Sequence, residues 1–275
     1  MSTTPPTPPP GAPTPSRTLH HRVDGVGARL VLAHGFTQTS RVWGSMDADL
    51  ARLHQVVAVD MPGHGASSDV ASTLVDGALQ LAEVGGRGHY LGYSMGARFC
   101  LHLALARPDL VDSLVLISGT AGIEDEGERR ARRRSDAALA DRLDPGRPSG
   151  DAVPIEAFLR EWMSNPMFEG VTAEAAGLEE RQANTGRGLA SSLRLAGAGS
   201  QLPLWNLLGR LEMPVLVVTG GVDEKFSALG RRMVDAIGSN ATLVVVPGAG
   251  HAPHLQRPAV VAGSVRRHVA FRPGR

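Results

Sequence analysis

Gly92-Tyr93-Ser94-Met95-Gly96 is the stretch of this 275-residue chain that reads most directly as chemistry. It follows a predicted strand and opens a predicted helix. Glycines flanking a serine at this spacing permit a sharp strand-to-helix turn and close packing of the two elements. The hydroxyl then stands at an exposed tip beside a helix N-terminus, where developing negative charge is stabilised. A free serine hydroxyl is a poor nucleophile and a poor proton acceptor at neutral pH, so Ser94 needs an activating base. With this turn, the partners follow in the chain order serine, acid, histidine. Downstream of Ser94 stand His102, His251, His254 and His268. His251 closes Val244-Val245-Val246-Pro247-Gly248-Ala249-Gly250, a strand leading into a glycine-rich loop, and is the favoured base. His254 is the alternative, and His268 lies in a terminal helical pattern. The orienting acid should follow the preceding strand. Asp223, in Gly220-Gly221-Val222-Asp223, has a short side chain suited to holding an imidazole, whereas the adjacent Glu224 reads as a solvated loop acid.

An anion formed in the reaction needs two backbone N–H groups aimed at one point. Met95, the residue after the serine, supplies one. The other should come from the loop after an early strand, where His34-Gly35-Phe36 follows Arg29 to Ala33, and Phe36 is the expected donor. His34 itself reads as a structural loop histidine. Asp60-Met61-Pro62-Gly63-His64-Gly65 ends the next strand, and its Asp60 and His64 read as loop-ordering residues.

The elements that must position these groups alternate in type. Apolar runs rich in Val, Leu and Ile span 29–33, 56–60, 90–93, 114–118, 215–219 and 242–246. They are apolar on both alternations, as strands covered on both faces should be. Helical patterns such as 96–106 and 229–237 lie between them, which predicts a mostly parallel α/β sheet. With the serine turn at its centre, this pattern resembles the α/β-hydrolase fold, which is the expected architecture. The rhythm breaks between residues 119 and 213, where a charged helical pattern over 124–143, a turn-rich break at 145–151 and further helical pattern predict a helical cap. The core is then expected over residues 17–118 and 214–275, with the cap over 119–213. Residues 1–16, rich in Pro and Thr, read as a disordered leader without the features of a signal peptide.

Composition narrows the rest. The 28 basic and 27 acidic side chains leave a charge of +1, which points away from nucleic acid. Cys100 is the only cysteine, so no internal disulfide forms, in keeping with a reducing compartment. No apolar run is long enough to span a bilayer. The expected location is the bacterial cytoplasm. Neither metal-ligand spacing nor a dinucleotide fingerprint is present, and no cofactor is expected.

Beyond the generic fold, the chain resembles the 2-succinyl-6-hydroxy-2,4-cyclohexadiene-1-carboxylate (SHCHC) synthases of menaquinone biosynthesis. The resemblance rests on His34-Gly35-Phe36-Thr37 with Trp43, on Asp60 to Gly65, on Gly92 to Arg98, and on Glu128 to Asp136. It continues through Trp162, Asn165-Pro166-Met167-Phe168, Arg181 to Gly186, Asp223-Glu224-Lys225-Phe226 and Gly250-His251. Ala97 and Met163 depart from the family, which often has glycine and a polar aromatic there. The resemblance implies a lyase that eliminates pyruvate from a cyclohexene bearing enolpyruvyl, succinyl and carboxylate groups. Ser94, deprotonated by His251 with Asp223 as orienter, would take a ring proton, and no water would be consumed. It also implies substrate contacts from Tyr93, Arg98, Arg134, Trp162 and Arg181.

Those residues have independent readings as well. Arg98 lies one helical turn past Ser94 on the same face, where a guanidinium calls for a carboxylate of the substrate or of the protein. Arg134 belongs to the run 129–134, most of which should be a solvated helix face, and Arg181 could pair with Glu179 or Glu180. The expected partner is therefore a small anionic substrate. Two competing readings are a hydrolase on the same triad, acting on an ester, thioester or carbon–carbon bond, and a binding protein on a hydrolase scaffold. The intact Ser94 and His251 speak against the latter.

Overall fold

Short apolar runs become strands here because their side chains find cover on both sides of one sheet. The computed structural model describes residues 18–144 and 152–270; the expected leader and the turn-rich break at 145–151 lie outside the described residues. In chain order the elements begin β1 (His21–Asp24), β2 (Ala28–Ala33), α1 (Met46–Ala51), β3 (His54–Val59), α2 (Leu74–Gly85) and β4 (Gly88–Tyr93). They continue with α3 (Met95–Ala106), β5 (Val111–Ile117), α4 (Glu126–Leu143), α5 (Ile155–Met163), α6 (Ala173–Ala176), α7 (Leu178–Arg181) and α8 (Gly186–Ala196). The chain ends with β6 (Val215–Gly220), α9 (Glu224–Ile237), β7 (Ala241–Val246), α10 (Pro253–Gln256) and α11 (Pro258–Ala270).

The strands form one seven-stranded sheet in the order β1-β3-β2-β4-β5-β6-β7. Every neighbour pair is parallel except β1 with β3. The period-two alternation of a strand sends β2 into two cores. Val31 and Ala33 pack with Leu81 of α2, Phe99 of α3 and Met233 of α9, whereas Leu30 and Leu32 pack with Leu50 of α1 and Val265 of α11. β1 falls outside the apolar runs because it is a short, mostly exposed edge strand. Among the described residues no helix is long and apolar enough to cross a membrane.

From β2 the chain winds first to β3 on one side, then crosses to β4 on the other. Such a reversal opens a crevice at the carboxyl ends of the strands. Ala33 pairs with Gly92, so the loop after β2 and the turn after β4 share that crevice. Between β5 and β6 the chain inserts α4 to α8, which bury a small core of their own from Ala140, Leu143, Phe158, Leu189, Ala190 and Leu193. α4 starts at Asp125, whose carboxylate accepts from the Glu128 N–H, an N-cap that places the first helical residue at Glu126.

The turn after β4 depends on missing side chains. Ser94 takes a positive φ of 49°. A Cβ on Gly96 would lie 1.9 Å from the Ala33 carbonyl oxygen, a backbone atom that cannot step aside. Gly96→Ala is therefore expected to destabilise the protein by about 3 kcal/mol or more. Gly263 in α11 meets only the flexible ends of Arg266 and Arg267, so Gly263→Ala is expected to stabilise by about 0.5–1 kcal/mol. Denaturant melts of the two variants check this, and equal, small shifts would contradict it.

Candidate active site

Ser94 stands at the N-cap position of α3, with its N–H bonded to the Ile117 carbonyl at 2.8 Å. Its Oγ lies 3.1 Å from Nε2 of His251. The His251 Nδ1 lies 2.9 Å from Oδ2 of Asp223, and the other oxygen, Oδ1, accepts the Phe226 N–H at 3.1 Å. Asp223 thus caps α9 with one oxygen and orients the histidine with the other. Burial alone would raise its pKa. The bonds from His251 and Phe226 and the charge on Lys225 outweigh that and hold it below the usual 3.8. An ionised Asp223 fixes the proton on Nδ1, which leaves the Nε2 lone pair facing the Ser94 hydroxyl. The ring of His251 is further confined by Phe226, with centroids 4.3 Å apart, and the backbone N–H of His251 donates to the Met167 carbonyl of the inserted segment.

His254 offers no comparable geometry. It is fully buried, packs 4.2 Å from the Tyr93 ring, and neither ring nitrogen has a protein partner. Burial first, then the charges of Arg181 and His251, lowers its pKa to about 3. Glu224 is exposed, and no hydrogen bond links it to His251 among the described residues.

Phe36 and Met95 both line the cavity that holds Ser94, and their N–H groups have no protein acceptor among the described residues. The loop carrying Phe36 is held from several sides. His34 donates through Nδ1 to Gly35 O and accepts the Met61 N–H on Nε2. His64 donates to Pro62 O and accepts from the Thr37 N–H, the residue that takes a φ of 67°. Asp60 accepts the N–H groups of Ser40 and Ala66 and so ties the two loops together. Asn184 donates to the Thr37 carbonyl at 2.8 Å.

The cavity measures about 490 Å³ and reaches from the triad to α4 and α8. Arg98 lines it, 8 % exposed, and one guanidinium nitrogen donates to the Ala196 carbonyl at 2.8 Å. It forms no ion pair among the described residues. Burial first, then the charge of Arg132, lowers its pKa to about 10, against the opposing pull of Asp136. A smaller space of about 30 Å³ beside Ser94 is lined by Tyr93, Trp162 and Arg181. Arg181 is 1 % exposed and donates to Ala176 O and to the Thr37 hydroxyl, without an ion pair to Glu179 or Glu180. Trp162 borders both spaces with a buried indole N–H that has no protein partner.

Arg134 is not brought to either space: it is exposed on α4. Arg132, Ser135, Asp136 and Leu139 line the cavity instead, at helical spacing that leaves Arg134 on the opposite side. Arg132 is held by Asp136 at 2.8 Å, and Asp136 also accepts the Gly199 N–H. The buried Asp136, Ala140 and Leu143 set this phase, so the spacing of buried residues along α4 was the signal for Arg132. Ser118, with a fully buried and unpartnered hydroxyl, also lines the cavity and carries no motif that would mark it.

Residues 30–264 match the family model described as the alpha/beta hydrolase family. The chain is 33% identical over 250 residues to a putative SHCHC synthase of Bacillus subtilis (strain 168), covering 83% of this chain and 85% of that protein. It is 31% identical over 251 residues to the SHCHC synthase of Enterobacter sp. (strain 638), covering 88% and 92%. Among solved structures, MenH from S. aureus superposes with a TM-score of 0.80 at 25% identity, over 91% of this chain and 97% of that one.

The loop histidines make the site sensitive to acid. Burial is the leading cause that lowers His34 from the usual 6.5 to about 4 and His64 to about 3. His102 and His254, at about 4 and about 3, shift the same way. Between those values and 6.5 the unfolded chain binds more protons than the folded one, so stability is complete above 6.5 and falls as pH drops toward 4. Urea melts at a series of pH values should show this slope, and a shallower one for His64→Gln. A flat profile would contradict the neutral, buried assignment.

Proposed function

The chain belongs to the alpha/beta hydrolase family, and we propose that it is an SHCHC synthase, a lyase that eliminates pyruvate from 2-succinyl-5-enolpyruvyl-6-hydroxy-3-cyclohexene-1-carboxylate. The observation that carries the reading is the joining of an intact triad to a cavity holding two arginines, Arg98 and Arg132. A neutral ester needs no such pair of guanidinium groups, whereas a polycarboxylate does.

In this reading His251 takes the Ser94 proton, and the resulting alkoxide removes the ring proton α to the succinyl carbonyl. The electron pair from that C–H bond moves onto the carbonyl oxygen, where the N–H groups of Phe36 and Met95 would face the enolate. When the carbonyl re-forms, the C–O bond to the enolpyruvyl group breaks. The departing enolate is protonated to give pyruvate, and no bond to Ser94 is made. Asp223 keeps the imidazole in the accepting tautomer and offsets its positive charge once protonated. Arg98 and Arg132 bind substrate carboxylates, with Asp136 aiming Arg132. Tyr93 and Trp162 shape the pocket. Arg181 borders the reacting serine while bracing Thr37, so it serves the loop as much as the ligand. The single cysteine supports a reducing, cytoplasmic setting.

Pyruvate release from the cyclohexene substrate tests the reading. The wild type should release it, and Ser94→Ala or His251→Ala should lower kcat/KM by at least about a thousandfold. Rapid hydrolysis of simple esters without pyruvate release would replace the lyase with a hydrolase.

The arginines divide the same assay. A buried charge pair broken on one side costs about 2–5 kcal/mol, so Arg98→Ala should lower kcat/KM by roughly 30- to several-thousand-fold. Arg132→Ala should lower it in the same direction, and Arg134→Ala should leave it near wild type. A loss for Arg134→Ala with none for Arg132→Ala would contradict the facing of α4.

A further inference from the structure

Lys225 is the only lysine of the chain, all of whose other cationic side chains besides histidine are arginine. It occupies the first turn of α9, two residues after Asp223. A cation there opposes the partial positive charge of a helix N-terminus, which favours acids such as the neighbouring Glu224. Asp223, two residues earlier, feels its charge, but Lys225 forms no ion pair among the described residues. It nevertheless lines the same cavity as Ser94, His251, Arg98 and Arg132. A cation at an electrostatically unfavourable helix position, facing a reactive cavity and tied to no carboxylate by an ion pair, is free to take a counter-charge from the ligand.

Position selects which part of the ligand. Arg98 is buried on the α3 wall, and Arg132 is held on the α4 wall by Asp136. Lys225, on α9, is exposed as Arg132 is, but unlike Arg132 no carboxylate holds it, so it can meet a group on the solvent side of the cavity. The fragment that leaves first must face the rim, whereas the retained ring and its substituents can stay against the floor. On the reading proposed above, we infer that Lys225 is a specificity-determining residue that binds the carboxylate of the departing enolpyruvyl group. A flexible stem carrying a compact ammonium suits a group that must be held and then released, where a bidentate guanidinium would hold it longer.

The test compares wild type with Lys225→Met and Lys225→Arg, using pyruvate release and inhibition by added pyruvate. Lys225→Met should raise KM about tenfold, as for the loss of one charge-assisted contact. It should weaken pyruvate inhibition to a similar extent, with the pH profile unchanged and thermal stability unchanged or slightly raised. Because the contact lies at the rim, the KM of the wild type should also rise with ionic strength more steeply than that of Lys225→Met. Lys225→Arg should restore most of the KM. Unchanged KM and pyruvate inhibition in Lys225→Met would overturn the inference. So would a fall in kcat with a shifted pH profile, which would mean that Lys225 acts through Asp223 and His251. A raised KM with normal pyruvate inhibition would place the contact on another carboxylate and overturn it too. A wild type that releases no pyruvate would instead remove the underlying lyase reading, while leaving the state of the folded site measurable by thermal denaturation.

Discussion

The contact between Ser94 Oγ and His251 Nε2 spans 3.1 Å in space and 157 residues in sequence. Neither side chain carries information about the other, so the sheet has to supply the relation. β4 delivers the serine through a turn that tolerates no side chain on Gly92 or Gly96, because either Cβ would strike backbone. β7 delivers the histidine through a loop anchored to the inserted segment at Met167. β6 lies between β5 and β7, and the acid at its end caps α9 with one oxygen while holding His251 with the other. Rotation of Asp223 would break a helix cap as well as a catalytic hydrogen bond. That shared duty makes its orientation rigid.

A second set of bonds fixes the donor loop after β2. Two imidazoles, each neutral and each both donating and accepting, pin the backbone on either side of Phe36. Asn184 and Arg181 reach the same loop from the inserted helices through Thr37. The insertion therefore does more than cover the cavity. Its position is transmitted to the loop of Phe36, which lines the cavity beside Ser94.

The sheet was largely legible because buried parallel strands leave unbroken apolar runs, and six of the seven strands lie in such runs. β1 left none: it is four residues long and mostly exposed. The grouping of Ser94, Asp223 and His251 was legible because each sits just after a strand, where chain order limits the choices. The cavity wall was harder to read. In 129–134 the arginines repeat at nearly every position, so the run itself carries no helical phase. Arg132 rather than Arg134 faces inward because Asp136, Ala140 and Leu143 turn α4 that way. The second duty of Asp223 was also hidden, since the helical pattern over 229–237 starts five residues after α9 itself begins.

In the proposed lyase mechanism Ser94 acts as a base and never forms a bond to substrate. This is tested most directly by mass spectrometry of the intact protein, quenched in acid while it turns over the cyclohexene substrate. Under that mechanism the mass of the enzyme stays that of the free chain while pyruvate accumulates. A substrate-derived adduct that forms during turnover, maps to Ser94 and disappears when substrate is exhausted would contradict it.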